Sequence, residues 1–497
     1  MTHFFPTSNQ SLALLTNYVR YQRRQLLQVF WLVALGLLIF ELFWAQTDSL
    51  ITNFGAVLIT SAALLPGYLW CSGRALGMPI FPLFALTYIW TYGLPLVTEH
   101  PRVLSYSHEA HLFASVTVAG FLFIGTIIWF PFVKSPPPLP KYYRALSSKK
   151  GDIFFLFILG IGVLFRFANN GGWLVSLLED YYSYYTAFRG AILGTTALAS
   201  FVLAYKLGNQ ELSKNKSRLF LTFIVAYIVG SAVELLLIGA ASTFLIAIVG
   251  FIFGRQKIPF LPIIISVICL FFLHYGKAEM RAKYWSTEQP IFIQPWQYPT
   301  FYNEWVGYSW DYLDRKEYLS ESQEEQSFSE RASLIHMLLL AQKQTPESAP
   351  YLYGKTYAIL PGLAIPRIFN PNKVRSHEGT YILSVYYGLQ TEEETYRYSI
   401  SWGLLPESYA NFGEFGCAGL GIILGIIFGK VTRWSINAPI LSAQSLFAVL
   451  ILTLAFQTEW TAGVYIAGLS QSGTVFTGIV VVLMETYWAS KLPTHQV

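Results

Sequence analysis

Charge is what this chain has least of. Asp, Glu, Lys and Arg make up 12% of its 497 residues, against roughly a quarter in an ordinary soluble domain, which excludes a soluble globular protein and any nucleic-acid-binding surface. Cysteine is scarce as well. Cys71, Cys269 and Cys417 each lie inside or at the end of an apolar run, so neither a disulfide framework nor a cysteine metal site is expected. Strand-like alternation of polar and apolar residues is missing, which excludes a membrane β-barrel. No small-residue cleavage site follows the basic N-terminal stretch with Arg20, Arg23 and Arg24, so the first apolar run is expected to stay as a signal anchor. No repeat of fixed period and no inverted symmetry between halves is visible.

Hydrophobic residues are abundant: 54% of the chain, with 17% aromatic and a mean hydropathy of +0.44. Apolar runs of about 20 residues recur, the length a helix needs to cross a hydrocarbon core about 30 Å thick. The sequence predicts an all-α polytopic membrane protein with about twelve spans, since each such run is long enough for one crossing. Four fall in residues 1–134. A Pro-rich and basic connector at 135–152 follows, and five more spans occupy 153–275, with Leu219 to Gly254 read as a hairpin turning near Gly239. Three close the chain in 414–497, the last reaching from Val464 to Trp488. The Tyr-rich stretch from Leu174 to Arg189 is read as a separate interfacial helix.

Lys and Arg concentrate in alternate connectors, and the positive-inside rule then puts both termini in the cytoplasm and the long segment 276–413 outside. That segment, between the ninth and tenth spans, carries the candidate site. Ser327 and Glu330 form an S-x-x-E pattern that predicts a helix running to about Gln344. Arg331 would sit in its first turn, where a cation opposes the helix dipole and needs a partner. Pro366 and Pro371 bracket Arg367 and hold its backbone extended. Glu407 and Asn411 are four residues apart and share a face if helical. The only acidic pair of D-x-D kind is Asp311 and Asp314, spaced D-x-x-D. That is the wrong spacing for a metal-bound nucleotide sugar, so no metal or cofactor is expected.

Pro366-Arg367 followed by Pro371 and Lys373, then Pro406-Glu407, Tyr409, Asn411-Phe412-Gly413 and Gly416 ahead of a span, resemble the Wzy-type oligosaccharide repeat-unit polymerases. Phe369-Asn370 and Val374 stand where that pattern has a Trp and a Pro. The resemblance implies a metal-independent glycosyltransferase at the outer face of the cytoplasmic membrane. It would polymerise undecaprenyl-pyrophosphate-linked oligosaccharides, the lipid-linked chain serving as both donor and acceptor, with a chain-length regulator and a flippase as partners. Arg367, Glu407 and His377 are then the catalytic candidates. Arg281, Arg331, Lys373, Arg375 and Asn411, with Arg166 and Arg189 near span ends, are the substrate-binding ones, because guanidinium groups take phosphate oxygens in bidentate fashion. An O-antigen ligase uses the same donor, and a transporter of polysaccharide intermediates is the alternative of another class.

Overall fold

The computed structural model describes residues 23–45, 47, 49–98, 100–138, 140–174, 182–235, 237–285, 291–315, 333–365, 370, 373–396 and 398–488. The protein is an all-α polytopic membrane protein. Among the described residues, eight helices are long and apolar enough to cross a bilayer: Arg24–Phe43, Leu50–Cys71, Ile80–Val97, His108–Val133, Lys150–Asn170, Phe188–Gly208, Leu404–Ser435 and Ala462–Val482. Phe260–Tyr275 and Lys277–Trp285 form a pair bent by 57° that would make a ninth. Twelve apolar runs therefore give eight or nine qualifying helices. Gly239–Arg255 and Ala443–Ala455 are shorter, and Lys214–Ala232 opens on three basic residues. Large apolar side chains such as Leu32, Leu50, Phe157 and Leu261 stand exposed on these helices, which is stable only against lipid.

Two compact units divide the chain: residues 1–145 with 329–497, and residues 146–328. In the first, His108–Val133 packs along Leu404–Ser435. The contact is close because Gly421 and Gly425 meet backbone: a Cβ on either would stand 2.8 Å from the carbonyl oxygens of Phe121 and Gly125. This is the small-residue spacing that lets membrane helices approach. Phe81, Phe84, Phe121 and Phe428 fill the space beside that seam with edge-on and tilted rings. Ile80–Val97 loosens into a π-helix over Ile89–Gly93. Arg23, one of the basic residues ahead of the first span, is buried. Its guanidinium donates to the carbonyls of Trp70 and Ala75, each at 2.8 Å, and stacks on the Trp70 ring.

Three sequence expectations change here. The Pro-rich connector at 135–152 contains regular structure: Tyr142–Ala145 is a strand that pairs antiparallel with Glu485–Trp488, Tyr142 opposite Trp488. The last apolar run accordingly stops as a helix at Val482, because Glu485-Thr-Tyr-Trp is β-branched and aromatic and finds a partner strand. In the second unit, Tyr182–Gly208 is one helix of 27 residues, so the Tyr-rich segment from Tyr182 on runs straight into the span rather than lying apart. The break between Lys214–Ala232 and Leu237–Arg255 precedes Gly239. Buried Asp152 ties three helices of this unit together, accepting from Lys206 at 2.5 Å and Lys216 at 2.8 Å.

Candidate functional site

The site in the first unit is built from the start of helix Leu404–Ser435. Pro406 falls in the first turn, where its missing N–H has no helical partner to lose, and Gly413 ends the first stretch. Its φ of 62° and ψ of −146° break the helix, and a Cβ there would also meet the Tyr351 ring at 2.8 to 3.1 Å. Only glycine fits on both counts.

Glu407 is fully buried. Its Oε2 accepts from the backbone N–H of Ala462 at 2.7 Å, the first residue of helix Ala462–Val482, whose own N-cap Thr461 makes no side-chain bond to the helix. A carboxylate from a distant element thus does the work of a cap and complements the helix dipole. Its Oε1 makes no hydrogen bond among the described residues and lies 3.5 Å from the place a Cβ would take on Gly379, in the first turn of helix Glu378–Tyr386. Thr380 of that turn bonds Thr461 at 3.1 Å. Glu407 therefore sits between the first turns of two helices.

Asn411, one turn on and equally buried, shares the face of Glu407 as its spacing predicts. Its Nδ2 donates to Thr356 Oγ1 and to the Glu407 carbonyl, each at 2.8 Å, and its Oδ1 accepts from Gly354 at 3.0 Å. Leu352 and Tyr353 donate to the carbonyls of Ala410 and Asn411. The loop can follow this path because Tyr353 and Gly354 both take positive φ, 46° and 90°, while Tyr357 stacks on Phe412. Burial, and then the Glu407 carboxyl, push the Tyr357 hydroxyl well up.

The candidate cations nearby are engaged rather than open. Lys373 donates to the carbonyls of Leu363 and Ile365 at 2.5 and 2.8 Å. Arg375 lies over the rings of Tyr381 and Tyr396, at 4.1 and 4.5 Å, bonds Glu378 at 2.9 Å and reaches Thr395. His377 directly precedes helix Glu378–Tyr386 and tilts over Tyr381. Partial burial lowers the basicity of its imidazole. Arg331 and Arg367 lie outside the described residues. The expected helix start at Ser327, with Arg331 in its first turn, lies outside the described residues; the helix described there runs Ile335–Gln344.

Arg166, Arg189 and Arg281 belong to the second unit. Arg166 is buried, ion-paired with Glu234 and placed over Tyr227. Arg281 donates to the Leu235 carbonyl at 2.8 Å and covers the Trp285 ring at 4.2 Å. Arg189 is exposed on helix Tyr182–Gly208. Among the described residues no group of three or more His, Cys, Asp or Glu side chains is arranged to hold a metal ion. Thr356, Gly379 and Thr461 belong to the Glu407 and Asn411 site, yet nothing in the sequence marks them. No protein family, curated protein or solved structure matches this chain.

Proposed function

We propose that this protein is a membrane glycosyltransferase that joins lipid-pyrophosphate-linked oligosaccharides into polymer, with the first unit as its catalytic body. One observation supports this reading above the others: the later of the two stretches that carry the resemblance to repeat-unit polymerases holds the segments that flank the earlier one. Glu407 of the later stretch touches the first turn of the helix that His377 introduces, and Asn411 pins the loop at Gly354.

In this reaction an acceptor hydroxyl attacks the anomeric carbon of the donor sugar. The carbon–oxygen bond to pyrophosphate breaks, and the leaving group departs with the electron pair. The hydroxyl proton passes to a base. His377 is assigned that role: it is half-buried rather than sealed, and burial favours its neutral, proton-accepting form. Glu407 is fully enclosed and is a positioning residue that fixes both helix ends. Lys373 and Arg375 shape the loop that bears His377. Arg367, with Arg331, remains the proposed source of positive charge for the leaving pyrophosphate, where losing one donor typically slows a reaction by about 10²- to 10³-fold. The reading includes an outer-face site with both termini in the cytoplasm.

The test is turnover by purified protein on a synthetic polyprenyl-pyrophosphate oligosaccharide, read as chain length on gels. Polymer that is lost in Arg367→Ala and His377→Ala, at wild-type protein level, is the expected result. Transfer of the oligosaccharide to a different lipid acceptor, with no lengthening, would make it a ligase. No transfer to any acceptor would reject the proposal.

A further inference from the structure

The second unit holds a cleft of about 240 Å³ whose wall includes Asn169, Glu234, Tyr284, Trp285 and Phe292. Pockets for drug-sized ligands run to roughly 300–1,000 Å³, so the occupant is small, one ring rather than a chain. Its chemistry follows from how the polar groups are already used. The hydrogen bonds Glu234 makes among the described residues fall on Oε1, which takes Arg166 and, at 3.4 Å, Asn169. Tyr185 holds the Asn169 carbonyl oxygen. Arg166 is thus neutralised by Glu234, and the acceptor left at the cleft is a carboxylate oxygen, which repels phosphate and accepts hydroxyl protons. Beside it, Trp285 is half-exposed. Arg281 covers one face of the indole at 4.2 Å, and an aromatic platform beside a fixed carboxylate suits the apolar face of a pyranose ring. The Arg281 guanidinium already takes the cation-binding role on that indole, which disfavours a quaternary ammonium there.

We propose that Glu234 and Trp285 form a subsite for one uncharged sugar residue, with Arg166 as the residue that positions Glu234. This reverses the expected use of Arg166 as a phosphate ligand. The choice of a sugar over another polyol rests on the glycosyltransferase reading, but the subsite is tested without any transfer reaction, so either can fail alone.

The experiment is saturation-transfer NMR on the full chain in detergent, using methyl glycosides of glucose, galactose, N-acetylglucosamine and glucuronic acid, with choline as a further probe. At least one neutral glycoside should show transfer that falls at least fivefold in Trp285→Ala and in Glu234→Gln. Arg166→Gln, which frees the carboxylate from its anchor, should weaken binding, and Arg166→Lys should restore part of it. Thermal unfolding of each variant establishes that it is folded. Four results would each overturn the subsite: no signal from any neutral glycoside, signal unchanged in the folded Trp285→Ala and Glu234→Gln variants, binding of the glucuronide alone, or binding of choline alone.

Discussion

Asn411→Ala is the sharpest probe of the first unit. The carboxamide makes three hydrogen bonds, to Thr356 Oγ1, the Glu407 carbonyl and the Gly354 amide, at 2.8, 2.8 and 3.0 Å. Each bond contributes about 1 kcal/mol net, and a donor left buried without a partner costs about 1–3 kcal/mol. The Glu407 carbonyl keeps its helical partner and the Thr356 hydroxyl can rotate, so the orphan is the Gly354 N–H. That group is partly buried, so water recovers some of the loss, and the total comes to about 3 kcal/mol. At 1.4 kcal/mol per tenfold, the loop over 351–359 should open roughly 100-fold more often. Hydrogen exchange read by mass spectrometry on peptides covering 350–360 measures this directly. Asn411→Asp, which keeps the acceptor for Gly354 and loses the two donors, should fall between. Unchanged exchange of these peptides in Asn411→Ala would refute the account of the loop as pinned by this side chain.

Glu407→Ala strips the Ala462 amide of its partner and empties a sealed site, a loss of about 2–4 kcal/mol. Glu407→Gln keeps an oxygen there and should lose about half as much, both read as thermal midpoints in detergent. Arg375→Lys keeps the charge but not the flat face held between two tyrosines, so exchange at 391–396 should rise by a few-fold, as expected from about 0.5–1 kcal/mol per exposed cation–π contact. His336 is pushed down to about 3 by burial, then by His100 stacked 5.3 Å away and by Arg102; Ser333 is its hydrogen-bond partner. Its folded form takes a proton only well below the usual value of about 6.5. Between those two values the unfolded chain binds the extra proton, so the stabilisation is full above about pH 6.5 and is lost as pH falls towards 3. His336→Gln should flatten the acid limb of the thermal midpoint from pH 7.5 to 4, and an unchanged slope would discount this histidine.

The membrane-spanning character was legible because apolar runs and helix length are local properties, read from a window of about 20 residues. The pairing of Glu407 with Asn411 on one face was legible for the same reason, since a spacing of four is a property of the helix itself. What the side chains then do was not. Lys373 and Arg375 look alike in sequence as cations beside a Pro-bracketed Arg. Only the fold reveals that one closes carbonyls at the end of helix Leu360–Ala364 and that the other sits between Tyr381 and Tyr396. Glu234 is an ionisable group within the apolar run from Leu219 to Gly254, but its partner Arg166 lies 68 positions earlier, beyond any local pattern. The strand Glu485–Trp488 was hidden by an apolar helix that leads into it.

That strand also sets a clock on biosynthesis. Ala145 faces Glu485, 340 positions later, so at about 5–20 residues per second a ribosome releases the first strand roughly 17–70 s before its mate exists. Throughout that interval Tyr142–Ala145 offers an open edge, while the entire sequence of the second unit is made. The first unit is therefore finished last, although its synthesis starts first. A nascent chain arrested before Glu485 leaves that edge waiting, whatever the state of the helices already inserted.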